Sequence, residues 1–157
     1  MTILRGLIGV LVGLALSVGV AQFLELMLAN ALAGRPLQSM AEYAVVLNTV
    51  PVLAIRVLVA SFVSLLGGYL CAKLAEADEM RYTLIAVIFR ILAIAGGSAA
   101  GYMPPTPAWA LALLLTVSTG AMLAGGAIRT AAAATRRGMR ANNGDASPQR
   151  NSTGDTA

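Results

Sequence analysis

The chain has 157 residues, 58% of them hydrophobic and 11% charged, and its mean hydropathy of +0.78 is far from that of an ordinary soluble domain. The absence of His removes imidazole haem ligation, His zinc sites and His general bases together, and a lone cysteine, Cys71, leaves no intrachain disulfide. A net charge of +4 would suit nucleic acid, but the basic residues lie at the ends of apolar runs or in the tail, where a membrane accounts for them.

Residues 1–5 form a short basic start, and residues 6–30 follow as an apolar stretch broken only by Ser17, Gln22 and Glu25. That is long enough for a span, which needs about 20 residues. The competing reading is a cleaved signal peptide, with Arg5 as its basic start, residues 6–20 as its apolar core and Gly19-Val20-Ala21 as the cleavage site. The apolar run continues past Ala21 through Phe23-Leu24 and Leu26-Met27-Leu28, where a mature chain should turn polar, so a retained span is expected.

In the loop that follows, Gly34-Arg35-Pro36 turns the chain, and Ser39 precedes Glu42 by the capping-box interval. Met40, Tyr43, Ala44 and Leu47 then fall on one helical face, which predicts a short amphipathic helix. Asn48-Thr49 supplies a second cap, with Pro51 in the first turn of a second span over residues 51–75. The link over 73–81 is charged, and a third span covers residues 82–103. Pro104-Pro105-Thr106-Pro107 cannot continue a helix. Tyr102 and Trp109 flank that turn as interfacial aromatics. Thr106 is expected to cap a fourth span with Pro107 at its first position, and the span covers residues 107–128. Residues 130–157 are basic at Arg136, Arg137 and Arg140, then polar, and are expected to be a disordered tail. The three arginines suit anionic head groups or serve only to set the topology. Asn151-Ser152-Thr153 matches a glycosylation acceptor, which is meaningless in a cytoplasmic tail.

If the spans alternate, Arg5, Lys73, Arg81, Arg129, Arg136, Arg137 and Arg140 fall on one side and only Arg35 in a loop on the other. Short loops retain positive charge on the cytoplasmic side, so both termini and the 73–81 link are expected in the cytoplasm and the amphipathic helix outside. Small residues recur at intervals of four: Gly9, Gly13 and Ser17; Ala60, Ser64, Gly68 and Ala72; Ala93, Gly97 and Gly101; Ala112, Thr116, Gly120 and Ala124. Such stripes let helix backbones approach closely in lipid.

Three charges stand inside the spans, where each is costly. Counting about 1.5 Å per residue puts Glu25 about 30 Å from Arg5 and Arg56 about 25 Å from Lys73. Side chains lean toward their own helix N-terminus, so the heads of Glu25 and Arg56 can meet as an ion pair. Arg90, about 13 Å from Arg81, falls near the midplane, with no acidic residue expected at its depth. The hydroxyls of Ser64, Thr116, Ser118 and Thr119 are its nearest expected partners. Arg90 with those hydroxyls is either a water-accessible anion site or a snorkelling arginine that fixes helix rotation.

A Gly-rich first span ending in Glu25, Pro51 before the second, the patch Gly67-Gly68-Tyr69 and the turn Pro107-Ala108-Trp109 together resemble a loose group of four-span bacterial inner-membrane proteins. The similarity covers residues 1–129 and carries no activity. Four spans with a Glu in the first also resemble small multidrug exporters, although Glu25 stands nearer the outer end than their pattern has it. The sequence therefore predicts an all-α protein: an integral membrane four-helix bundle over residues 1–129, with a short external amphipathic helix and a disordered C-terminal tail, in a bacterial inner membrane. With no His, one Cys and no carboxylate cluster, neither an enzyme nor a cofactor or metal site is expected. The expected partners are membrane lipid and a membrane-protein partner or a second copy of the chain, and not nucleic acid. Two functions fit: an accessory or assembly subunit packing through small-residue faces, or a small oligomeric transporter or channel for an anionic solute centred on Arg90.

Overall fold

The computed structural model describes residues 2–75 and 78–144. Every regular element among them is helical: α1 (Thr2–Leu14), a π-helical segment (Ala15–Val20), α2 (Ala21–Ala33), α3 (Met40–Leu47), α4 (Val50–Ala75), α5 (Glu79–Ala99) and α6 (Ala108–Gly144). Four stretches are long and apolar enough to cross a membrane: Ile3–Ala33, which joins α1, the π segment and α2, then Val50–Ala75, Glu79–Ala99 and Ala108–Met139.

The helix ends follow from local chemistry. Gly34, at φ 65°, stops α2. At the end of α5, Gly101 takes φ 74°, and the amides of Gly101 and Tyr102 donate to the carbonyls of Ser98 and Gly97. This is the paired bonding that a left-handed glycine allows, and it stops the helix at Ala99 rather than at the expected Met103. Ser39 caps α3 by accepting from the Glu42 amide at 3.2 Å. Thr106 does not cap α6: its hydroxyl donates to the Pro104 carbonyl, and the Pro107 carbonyl accepts the first helical bond, from Leu111. Proline has no amide to satisfy, so it serves at this boundary without a side-chain cap.

The fourth helix outruns its expected end at Ile128 by four turns. Ala131 to Ala134 and the arginines that follow are strong helix formers with no Gly or Pro before Gly138, so α6 continues to Gly144. The expected disorder from residue 130 therefore does not hold over 130–144. Residues 145–157, with the rest of the expected tail and its Asn151 motif, lie outside the described residues.

α4 is the central helix and packs most extensively on α6 and α1. Its approach to α6 is close enough that a Cβ at Gly68 would strike the Met122 carbonyl and one at Gly125 would strike the Leu65 carbonyl. Against α1, Gly13 and Gly67 face each other's carbonyls, at 3.0 and 2.9 Å from where a Cβ would sit. α5 closes the remaining side: Tyr82 lies over Gly6 and Thr83 over Gly126. The core made by these contacts holds Val10, Cys71, Ala86, Val87 and Met122, with Cys71 fully buried as a small hydrophobe. Glu79, at the start of α5, faces Arg129 of α6 at 3.7 Å.

Two of the four small-residue stripes are used in this way, those of α1 and α4. The other two are not. Ala112, Thr116, Gly120 and Ala124 are exposed, as are Ala93 and Gly101. α6 instead buries Ala110, Ser118, Met122, Gly125 and Gly126. At the end of the molecule that carries the proline turn, α3 folds back on α2 and α4 around Ala29, Leu47 and Val52. Asn30 fastens it, accepting from the Tyr43 hydroxyl at 3.1 Å and from the Leu37 amide at 2.9 Å.

Candidate functional site

Besides Gly6 and Val10, the buried positions on the first rod run Gly9, Gly13, Ser17, Ala21 and Ala29, at fours or multiples of four. Four residues turn an α-helix by about 400°, so a stripe of fours drifts by about 40° at each step. The π segment at residues 15–20 has a wider turn, which takes up part of that drift. Ser17 stays inward within it, only 1% exposed, and Gln22 and Glu25 follow on the same side of α2.

Glu25 and Arg56 meet. Arg56 Nη2 donates to Glu25 Oε2 at 2.9 Å, with side chains 5% and 11% exposed respectively. Arg56 Nη1 also reaches the Leu47 carbonyl at 3.4 Å, so the pair is roofed by the last residue of α3. Leaning from opposite directions along antiparallel helices brings the two heads together.

Beyond the π segment, the backbone of α2 comes close to α3 and α4 and stands apart from α5 and α6. The space it leaves is a cavity of about 70 Å³. Val18, Ile94, Met103, Leu111, Leu114 and Leu115 make its apolar wall, and its polar groups are Ser17, Gln22, Glu25, Arg90 and Ser118. Arg90 is 3% exposed. Its Nη2 donates to Ser118 Oγ at 2.8 Å, and Ser118 in turn donates to the Leu114 carbonyl. Nε and Nη1 of Arg90 have no partner among the described residues, and neither does the buried hydroxyl of Ser17. A buried guanidinium left with unused donors is costly, and such groups concentrate at functional sites.

Of the four hydroxyls expected around Arg90, Ser118 alone bonds to it. Thr116 is exposed and donates to the Ala112 carbonyl, because it stands about 200° around α6 from Ser118. Thr119 is half-buried and Ser64 fully buried, and neither lines the cavity. Ser64 Oγ is itself without a partner. Glu25 stands nearer the α3 end than Arg90 does, yet it lines the same cavity. Depth was counted at backbone positions, whereas the cavity runs along about two turns of helix and long side chains enter it from both ends. Ser17 and Gln22 are the polar residues that residue counting did not assign to the site. Their only signal was that they interrupt an otherwise apolar span.

No group of His, Cys, Asp and Glu among the described residues could hold a metal ion. The ionised groups at the site are therefore Arg90 and Glu25, with Arg56 behind Glu25, and what the arrangement can do chemically is hold a negatively charged group by hydrogen bonds from a guanidinium. No family model, curated protein or solved structure matches the chain.

Proposed function

We propose that the chain is a non-enzymatic, multi-pass protein of a bacterial inner membrane, with both termini cytoplasmic, that binds and conducts a small anionic solute at Arg90. The observation that carries this reading is the buried guanidinium with Nε and Nη1 unpartnered, beside a cavity walled by apolar side chains. Arginine stays charged at any working pH, so it serves as a fixed anion receptor rather than a proton relay. The low polarity around it strengthens each hydrogen bond it donates. Purified protein reconstituted in vesicles tests the reading by the entry of nitrate or acetate. The expected result is a flux that Arg90→Leu abolishes; equal flux from both proteins ends the solute reading.

The accessory-subunit reading keeps one supporting observation. The face of α6 made by Ala112, Thr116, Gly120 and Ala124 is exposed, and such a face suits a second helix in lipid. Purification in mild detergent with mass analysis separates the two: one co-purifying membrane protein at equal stoichiometry favours the accessory role, a defined homo-oligomer the solute role.

A further inference from the structure

We infer that the anion held at Arg90 is singly charged, and that Glu25, through its pairing with Arg56, sets that limit; this rests on the solute reading above. Three ionised groups meet in this part of the molecule: Arg90, Glu25 and Arg56. Glu25 and Arg56 are joined at 2.9 Å, and Glu25 lines the cavity that Arg90 lines. Their charges sum to one positive unit. Of the chain's seven acidic residues, Glu42 pairs with Arg35, and the rest stand at position 76 or later, where Asp78 and Glu79 flank the start of α5 at the other end of the molecule. No carboxylate of the described residues is left to neutralise Arg90. In a low-polarity interior an uncompensated unit charge is expensive, and so is an excess of the opposite sign. A monoanion leaves the group neutral, whereas a dianion leaves it one unit negative beside the Glu25 carboxylate.

Size points the same way. An apolar cavity of about 150 Å³ holds benzene, so a cavity of about 70 Å³ suits a group of three or four heavy atoms, such as a carboxylate with its first carbons or a nitrate. The flat fork of a guanidinium matches the two oxygens of such a group. Nε and Nη1 lie on opposite edges of the guanidinium, so each offers one arm of a fork whose other arm is the N–H that Nη2 does not give to Ser118.

The test is a set of titrations on the full chain in detergent, using acetate, nitrate, sulfate and inorganic phosphate at pH 8. The saturable rise in unfolding temperature is read after subtraction of that of Arg90→Leu, which removes general salt effects. The wild type is expected to bind acetate and nitrate at least tenfold more tightly than sulfate or phosphate. Glu25→Gln raises the sum to two positive units and should reverse that order. Arg56→Gln lowers it to zero and should weaken every anion at least tenfold. The double variant restores one positive unit, so the wild-type order should return. If the single Glu25→Gln chain does not fold, the double variant and Arg56→Gln still decide: a double variant without the monoanion preference, or an Arg56→Gln that binds as the wild type does, overturns the inference. A Glu25→Gln that keeps the wild-type order also overturns it. A wild type that binds none of these anions defeats instead the solute reading beneath it. Dodecanoate added to the series separates the sources of a carboxylate: a constant tenfold tighter than that of acetate assigns it to a lipid, and an equal constant to a free solute, the single charge standing in both.

Discussion

Among the described residues Arg90 bonds to one hydroxyl, and that hydroxyl is already satisfied. Ser118 donates to the Leu114 carbonyl and would keep that bond if the guanidinium were removed. Arg90→Leu therefore orphans nothing, removes two unpartnered buried nitrogens and relieves an insertion cost of about 3 kcal/mol. The variant is expected to insert and to unfold in detergent at or above the wild-type temperature while its anion flux is lost. Arg90→Lys keeps the charge without the flat fork, and its flux should fall between the two. A fold that Leu destabilises would mean that the residue is structural. The Glu25–Arg56 pair should behave in the opposite way, because each member leaves a buried, unpaired partner behind. Glu25→Gln and Arg56→Gln should each cost about 3–5 kcal/mol and the double change clearly less than the sum, measured by thermal unfolding in detergent. Additive losses would mean that the pair contributes no coupling. Counting residues along the helices was enough to bring these two heads together, since each lies on a continuous helical rod that starts or ends near a basic residue. It missed Glu25 at the Arg90 cavity because the cavity depends on α2 standing apart from α5 and α6, and no periodicity in the sequence encodes that gap.

Helix contacts in this chain are decided by single glycines. Gly68 and Gly125 sit where α4 and α6 approach backbone to backbone, and a methyl at either would meet a carbonyl that cannot move aside. Gly68→Ala and Gly125→Ala should each destabilise by about 1–3 kcal/mol, the usual cost of overpacking. A methyl at Gly120 meets nothing within 4 Å, so Gly120→Ala should be neutral or stabilise by up to about 1 kcal/mol through helix propensity. Unfolding temperatures of the three variants in one detergent check the contrast, and equal losses at Gly68 and Gly120 would contradict the observed packing. The sequence alone does not separate these positions. α6 is apolar around its whole circumference over its first five turns, so hydrophobic periodicity cannot mark the inward face, and stripes of fours can be drawn on more than one side. The four long apolar helices were legible because run length and flanking charge define them without reference to any neighbour. The π segment and the helix over 130–144 were not. The first answers a demand for continuity of one buried face, and the second follows from alanine-rich propensity in a stretch that charge and composition marked as tail.

At the scale of the whole molecule the two ends are unlike. One end carries Lys73, Arg81, Arg129, Arg136 and Arg137, and the other carries Arg35 together with the exposed aromatics Tyr102 and Trp109. The continuation of α6 to Gly144 lengthens the basic end by a stretch of helix on which Arg136 and Arg137 are exposed. Basic groups within about 15–20 residues of a span end are the ones that set orientation, and the proposed orientation puts this end in the cytoplasm. On that orientation the α3 helix and the proline turn share the outer side, and the Asn48 side chain joins them by donating to the Pro105 carbonyl at 2.8 Å. Arg56 and Glu25 lie just beneath them and Arg90 deeper, so on the proposed orientation an external solute is expected to meet the ion pair before it meets Arg90. Reporter fusions at Gly34, Asp78, Pro105 and Gly144 test the orientation without assuming anything about function. Gly34 and Pro105 should report the outside, Asp78 and Gly144 the cytoplasm. The Gly144 fusion is the most demanding of the four, since it stands about 57 Å beyond Thr106 along the helix and an outside signal there would require an odd number of crossings. An outside signal at Asp78 or Gly144 would overturn the orientation, and with it the expectation that an external solute meets Glu25 and Arg56 before it meets Arg90.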